Sequence, residues 1–74
     1  MKAYILIHIR TGEIMKVVDL LNRVEEVTEA HMTFGPYDAV AVIQADDVQG
    51  LGRVMANKIQ PIPGVLETLT CLAV

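Results

Sequence analysis

Seventy-four residues hold one domain, because a chain this short cannot build two separately packed cores. Hydrophobic residues make up 53% of it and charged residues only 20%, more apolar side chain than a lone domain of this size can shelter. The net charge is −3, and Lys2, Arg10, Lys16, Arg23, Arg53 and Lys58 are scattered, which excludes the clustered cations that direct nucleic-acid binding needs.

Ala3–Ile9 is rich in β-branched and aromatic residues, stops at Thr11-Gly12 and reads as a strand. Thr11 is expected to cap a helix in which Ile14, Val17, Val18, Leu21 and Val24 recur at three- and four-residue spacing. Glu13, Lys16, Asp19 and Asn22 of that helix face water. Val27–Phe34 alternates weakly, with Val27, Glu29 and His31 set against Thr28, Ala30 and Met32. It is joined through Gly35-Pro36 to a clearer strand over residues 37–45, and the pair forms a hairpin. Asp46-Asp47 caps a second helix that turns Val48, Leu51, Val54 or Met55, and Ile59 to one side. Gly50 and Gly52 weaken that helix, and close packing on the sheet is the expected reason for them. Pro61 and Pro63 end it, Gly64 turns the chain, and Val65–Val74 is the last strand.

The element order is βαββαβ. Right-handed crossovers fill the gaps to give the strand order 4-1-3-2, a four-stranded antiparallel sheet with both helices on one face. This is the ferredoxin-like solution, of the α+β class.

Two helices cover one face only, so the other should read polar if water covers it. It does not. In the first strand Ala3, Ile5, Ile7 and Ile9 share one face and Tyr4, Leu6 and His8 the other. In the third, Tyr37, Ala39, Ala41 and Ile43 oppose Val40 and Val42. In the fourth, Leu66, Leu72 and Val74 oppose Val65, Leu69, Cys71 and Ala73. With the Ile5/Ile7/Ile9 side under the helices, the second face is expected to pack on another copy, sheet to sheet, as a dimeric α/β sandwich. A membrane is not the alternative. The longest apolar runs, Ala3–Ile7 and Ala39–Ile43, are five residues each, against the ~20 of a spanning helix. No signal pattern opens the chain, and the lone Cys71 forms no internal disulfide, so a cytoplasmic setting is expected.

Signals for catalysis are thin, and neither a metal nor a cofactor is expected. His8 and His31 fall on strands that are not neighbours, Cys71 sits in an apolar strand, and Glu25-Glu26 and Asp46-Asp47 lie at element edges. Gly50-x-Gly52 lacks the strand before it and the GK[ST] tail of a phosphate loop. The segment Thr33-Phe34-Gly35-Pro36-Tyr37-Asp38 is more informative. A glycine turn leaves backbone N–H groups free to hold a carboxylate, and Asp38 can accept from an ammonium, which together suit a zwitterionic amino acid. The plainer reading is that Gly35-Pro36 turns the chain, Tyr37 packs and Asp38 caps it.

With Ile62-Pro63-Gly64-Val65-x-x-Thr68-x-Thr70 downstream, this segment resembles the effector-binding RAM domain of the Lrp/AsnC transcription regulators. That family has a Gly-x-Tyr-Asp turn between strands two and three and an I-x-G-V-x-x-T-x-T lead into strand four. The resemblance covers essentially the whole chain. It implies sheet-to-sheet homodimers that assemble into a higher oligomer, with an amino-acid effector bound in clefts between dimers near the turn. Carried over, Gly35 and Tyr37 meet the ligand carboxylate through backbone groups and Asp38 holds its ammonium. Thr68 or Thr70 of a neighbouring subunit lines the cleft. Phe34 departs from the family's small hydroxyl residue and would alter the pocket's size and polarity. The chain starts at its first strand, so residues 1–74 are expected to be a single RAM-like domain without the DNA-binding domain of the full regulators.

The resulting expectation is a non-enzymatic, amino-acid-responsive module that modulates transcription indirectly through assembly, in some settings together with full-length Lrp/AsnC regulators. The alternatives are a small dimeric enzyme of the isomerase or cofactor-free monooxygenase type, using His8 and Tyr4 on the open face, and a structural subunit that binds no ligand.

Overall fold

The computed structural model describes residues 1–74. The elements are β1 (Lys2–Ile9), α1 (Ile14–Leu21), β2 (Val27–Met32), β3 (Ala39–Gln44), α2 (Val48–Val54), which runs on into a π-helical turn at Met55–Ile59, and β4 (Val65–Leu72). The sheet order is β2-β3-β1-β4, the expected order read from its other edge, and every pairing is antiparallel. No helix is long and apolar enough to cross a membrane.

Ala3, Ile5, Ile7 and Ile9 lie buried under the helices with Ala39, Ala41 and Ile43 of β3. Val17 and Leu21 of α1, and Leu51, Val54, Met55 and Ile59 of the second helical segment, close the core from above. Val48, expected on that buried side, is 57% exposed in the first turn of α2.

Local chemistry accounts for the helix ends. Asp47 is extended and its Oδ1 accepts the Gly50 amide at 2.6 Å, as an N-cap should. Gly50 has little room for a side chain because Asp47 Oδ1 would lie 3.1 Å from an added Cβ; the cap, not the sheet, crowds it. Gly52 has nothing within 4 Å of that position, so the expected close packing is absent there as well. Thr11 is exposed and caps nothing: α1 starts after Glu13, which has no side-chain cap bond. At the other end of α1, the Asn22 amide donates to the Val18 and Ala30 carbonyls and accepts the Ala30 amide at 3.1 Å. A residue expected only to face water therefore ties α1 to the edge strand β2.

Two irregularities reset the side-chain alternation. A bulge between Val27 and Glu29 turns both Val27 and Ala30 into the core and leaves Glu29 and His31 on the open face. A second, where β4 shifts against His8 and Ile9, sets Val65 beside Ile9 and leaves Leu66 62% exposed. Beyond it Thr68, Thr70 and Leu72 lie opposite Ile7, Ile5 and Ala3, on the helix side, whereas Leu69 and Cys71 lie opposite Leu6 and Tyr4 on the open side. The open face is thus Tyr4, Leu6, Val40, Val42, Leu69 and Cys71 at its centre, with Tyr4 40% and Leu69 47% exposed.

Candidate functional site

The loop between β2 and β3 is clasped from inside. The Thr33 amide donates to the Asp38 carbonyl at 3.0 Å, and the Thr33 hydroxyl donates to the Tyr37 carbonyl at 2.9 Å. Gly35 adopts φ +150°, with open space where a Cβ would stand. The amides of Phe34, Gly35 and Tyr37 make no hydrogen bond within the chain. Phe34 is fully exposed at the tip. The expected glycine turn is therefore present, with three of its amides unpaired.

Asp38 anchors the loop to β1. Its amide donates to the Ile7 carbonyl at 2.9 Å, and its Oδ2 accepts the Ile9 amide at 2.7 Å. Asp38 therefore does not cap its own turn as the plainer reading expects: Oδ2 is spent on β1, while Oδ1 makes no hydrogen bond within the chain. Tyr37 lays its ring against that of His8, centroids 4.4 Å apart and planes inclined by 31°. His8 Nδ1 stands 3.8 Å from Asp38 Oδ2, and His8 Nε2 stands 3.7 Å from Glu67 Oε1. Sequence reasoning missed this grouping, since the link to Glu67 depends on the β1–β4 register, which joins the two ends of the chain.

The other expected site residues lie elsewhere. The Thr68 hydroxyl accepts from Gln60 Nε2 at 3.4 Å. Thr70 borders an open groove of about 510 Å³ between the second helical segment and β4, lined also by Val48, Leu51, Gly52, Met55 and Leu72. Thr68 and Thr70 project to the helix side of the sheet and Asp38 to the side of His8, so a single chain does not bring them together.

A second hollow, about 410 Å³, lies between the start of α2 and the ends of β2 and β3. Two of its five charged side chains pair, Lys58 donating to both Glu26 oxygens at 2.9 Å. Those hydrogen bonds, with a backbone bond and the lysine charge beyond them, hold the Glu26 carboxyl below its usual range. No cluster of three or more His, Cys, Asp or Glu side chains is arranged to hold a metal ion. Tyr4 and His8 share the open face about 13 Å apart along the backbone of β1.

A family model described as the Lrp/AsnC ligand binding domain matches residues 2–74. The chain is 35% identical over 72 residues to the HTH-type transcriptional regulator FL11 of Pyrococcus abyssi, covering 97% of this chain and 47% of that protein. It spans about half the length, or less, of the curated relatives it matches. Among solved structures, TTHA0845 from Thermus thermophilus superposes with a TM-score of 0.93 at 32% identity, covering 99% of this chain and 91% of that one. E. coli AsnC superposes with a TM-score of 0.92 at 27% identity, covering 97% of this chain and 49% of that one.

Proposed function

The chain belongs to the Lrp/AsnC ligand-binding-domain family, and from that premise we propose that it is a non-enzymatic regulatory module that holds an amino-acid effector between subunits and acts on transcription through assembly. The observation that carries this reading is the β2–β3 loop, where three unpaired amides stand beside a carboxylate with one unused oxygen. An amino acid offers the complement: a carboxylate for the amides and an ammonium for Asp38.

The remaining site residues fit a cleft between chains. Thr70 opens on a groove whose walls are mostly apolar and suit a ligand side chain or a neighbour's loop. The loop of one chain (Gly35, Tyr37 and Asp38) set against Thr68 and Thr70 of another completes the cleft, with fully exposed Phe34 at its mouth. The open sheet face supplies the first step of assembly, since an apolar face of this kind buries itself well against its own copy about a two-fold axis. A sheet-to-sheet homodimer, dimers joined across the clefts into a higher oligomer, and a cytoplasmic setting form one consistent scheme. Full-length Lrp/AsnC regulators are partners of matching chemistry, because they carry the same domain.

An effector regulates assembly only if it binds one assembly state better than another. Light-scattering mass, measured with and without each proteinogenic amino acid, tests this. At least one amino acid is expected to bind and to shift the mass; no binding and no shift across the panel rejects the reading.

A further inference from the structure

We propose that His8 is a positioning residue of the effector site: its protonated imidazole stands as an ion-pair partner between Asp38 on the loop and Glu67 on β4, and loss of that proton removes the positive charge that competes with the effector's ammonium for the Asp38 carboxylate. The effector half of this inference rests on the function proposed above; the ion pairing itself does not.

Three observations carry it. Each ring nitrogen of His8 faces a carboxylate oxygen, Asp38 at 3.8 Å and Glu67 at 3.7 Å. Only the imidazolium has a donor on both nitrogens; the neutral ring turns a lone pair toward one of the two carboxylates. Neither carboxylate has another cation, since the remaining ion pairs are Arg10 with Glu13, His31 with Glu29 and Lys58 with Glu26. Finally, Tyr37 stacks on the ring and holds it in place between the two acids.

The groups around His8 are few. Asp38 and Tyr37 face it from the loop, Glu67 faces it from β4, and Arg10, just past the end of its own strand, turns instead to Glu13. Histidine is the side chain that changes charge between pH 5 and 8. In that window a free amino acid keeps both its ammonium and its carboxylate, so the protein supplies the pH dependence. An imidazolium and a ligand ammonium then compete for one carboxylate. Effector binding expels a proton, and a proton weakens effector binding.

Two measurements on the whole chain test this. The first follows the Ile9 amide by NMR from pH 5.5 to 7.5, because that N–H bonds to the Asp38 oxygen nearest His8. A titration step is expected in the wild type and is expected to vanish in His8→Asn. An Ile9 amide that does not respond to pH in the wild type, or that titrates equally in His8→Asn, overturns the ion pairing. The second is calorimetry with the amino-acid panel at both pH values. Affinity is expected to rise about threefold to tenfold between pH 5.5 and 7.5 in the wild type. That rise should shrink in Glu67→Gln and disappear in His8→Asn. An identical rise in His8→Asn, or an Ile9 step without any rise in affinity, overturns the link to the effector. If no amino acid binds at either pH, the proposed function fails while the Ile9 amide still decides for or against the ion pairing.

Discussion

Asp38 accepts the Ile9 amide at 2.7 Å through Oδ2, so the side chain proposed to hold the effector also fastens the β2–β3 loop to the end of β1. Its two roles separate by substitution. Asp38→Ala removes both and is expected to cost about 1.5–3 kcal/mol of stability, the worth of a hydrogen bond to a charged acceptor. It should also lower effector affinity at least about tenfold. Asp38→Asn keeps an acceptor for Ile9 and should recover most of the stability but little of the affinity. Chemical denaturation and calorimetry on the two variants check this; equal affinity in all three proteins removes Asp38 from the site.

Leu6 lies opposite both Val40 and Leu69 on the open face. Leu6→Lys puts a charge at the centre of the proposed sheet-to-sheet contact, where it has no partner. The dimer is expected to weaken at least about 100-fold while far-UV circular dichroism stays that of the wild type. Analytical ultracentrifugation over a concentration series reads the change. An unaltered dissociation constant moves the dimer interface elsewhere.

The strands, the helices and their order were legible because each rests on a local pattern: alternation in Ala3–Ile9, three- and four-residue spacing in Ile14–Leu21, prolines after Ile59. That the Ile5 face lies under the helices was legible as well, and the apolar opposite face with it. What the pattern hid depends on distant pairing. The bulge at Thr28 and the shift near Leu66 each invert the alternation of part of a strand, and nothing in either segment's own composition marks them. The site splits in the same way. The Gly35–Asp38 turn announces itself through glycine and aspartate, whereas the His8–Glu67 approach exists only through the β1–β4 register. Gly52 looked like a sheet-packing glycine and instead borders an open groove.

Gly64 is buried with φ +101°, and a Cβ there would meet Val17 Cγ2 at 3.0 Å and Glu13 Cβ at 3.4 Å. Its carbonyl also accepts the Arg10 amide at 2.8 Å. The glycine of the I-x-G-V motif thus serves the approach of the last turn to α1 and does not reach the loop. Gly64→Ala is expected to destabilise the fold by about 2–4 kcal/mol, since conformation and space both oppose it. A thermal midpoint indistinguishable from that of the wild type would refute this.

Glu26 illustrates how acid should act on this fold. Lys58 hydrogen bonds hold the folded carboxyl below the usual 4.5, so the unfolded chain takes up its proton first as the pH falls. The stability this pair contributes is fully present above pH 4.5 and is lost as the pH drops through the lower folded value. Lys58→Met is expected to lower stability at neutral pH and to flatten the decline below pH 4.5. Urea midpoints from pH 3 to 7 make the comparison, and parallel curves for the two proteins would show that the pair has no part in acid sensitivity.

Gly52 separates the needs of the fold from those of the proposed cleft. It sits inside α2 with nothing within 4 Å of where a Cβ would stand and no positive φ, so the fold gains from a side chain there. Gly52→Ala is expected to stabilise the protein by about 0.5–1 kcal/mol, chiefly by narrowing the unfolded ensemble. The same methyl narrows the groove beside Thr70, and Gly52→Leu fills much more of it. If that groove is half of an effector cleft, stability should rise in the alanine variant while effector affinity falls there and falls further in the leucine variant. A more stable protein with undiminished affinity in both would leave the loop around Asp38 to bind the effector without the groove.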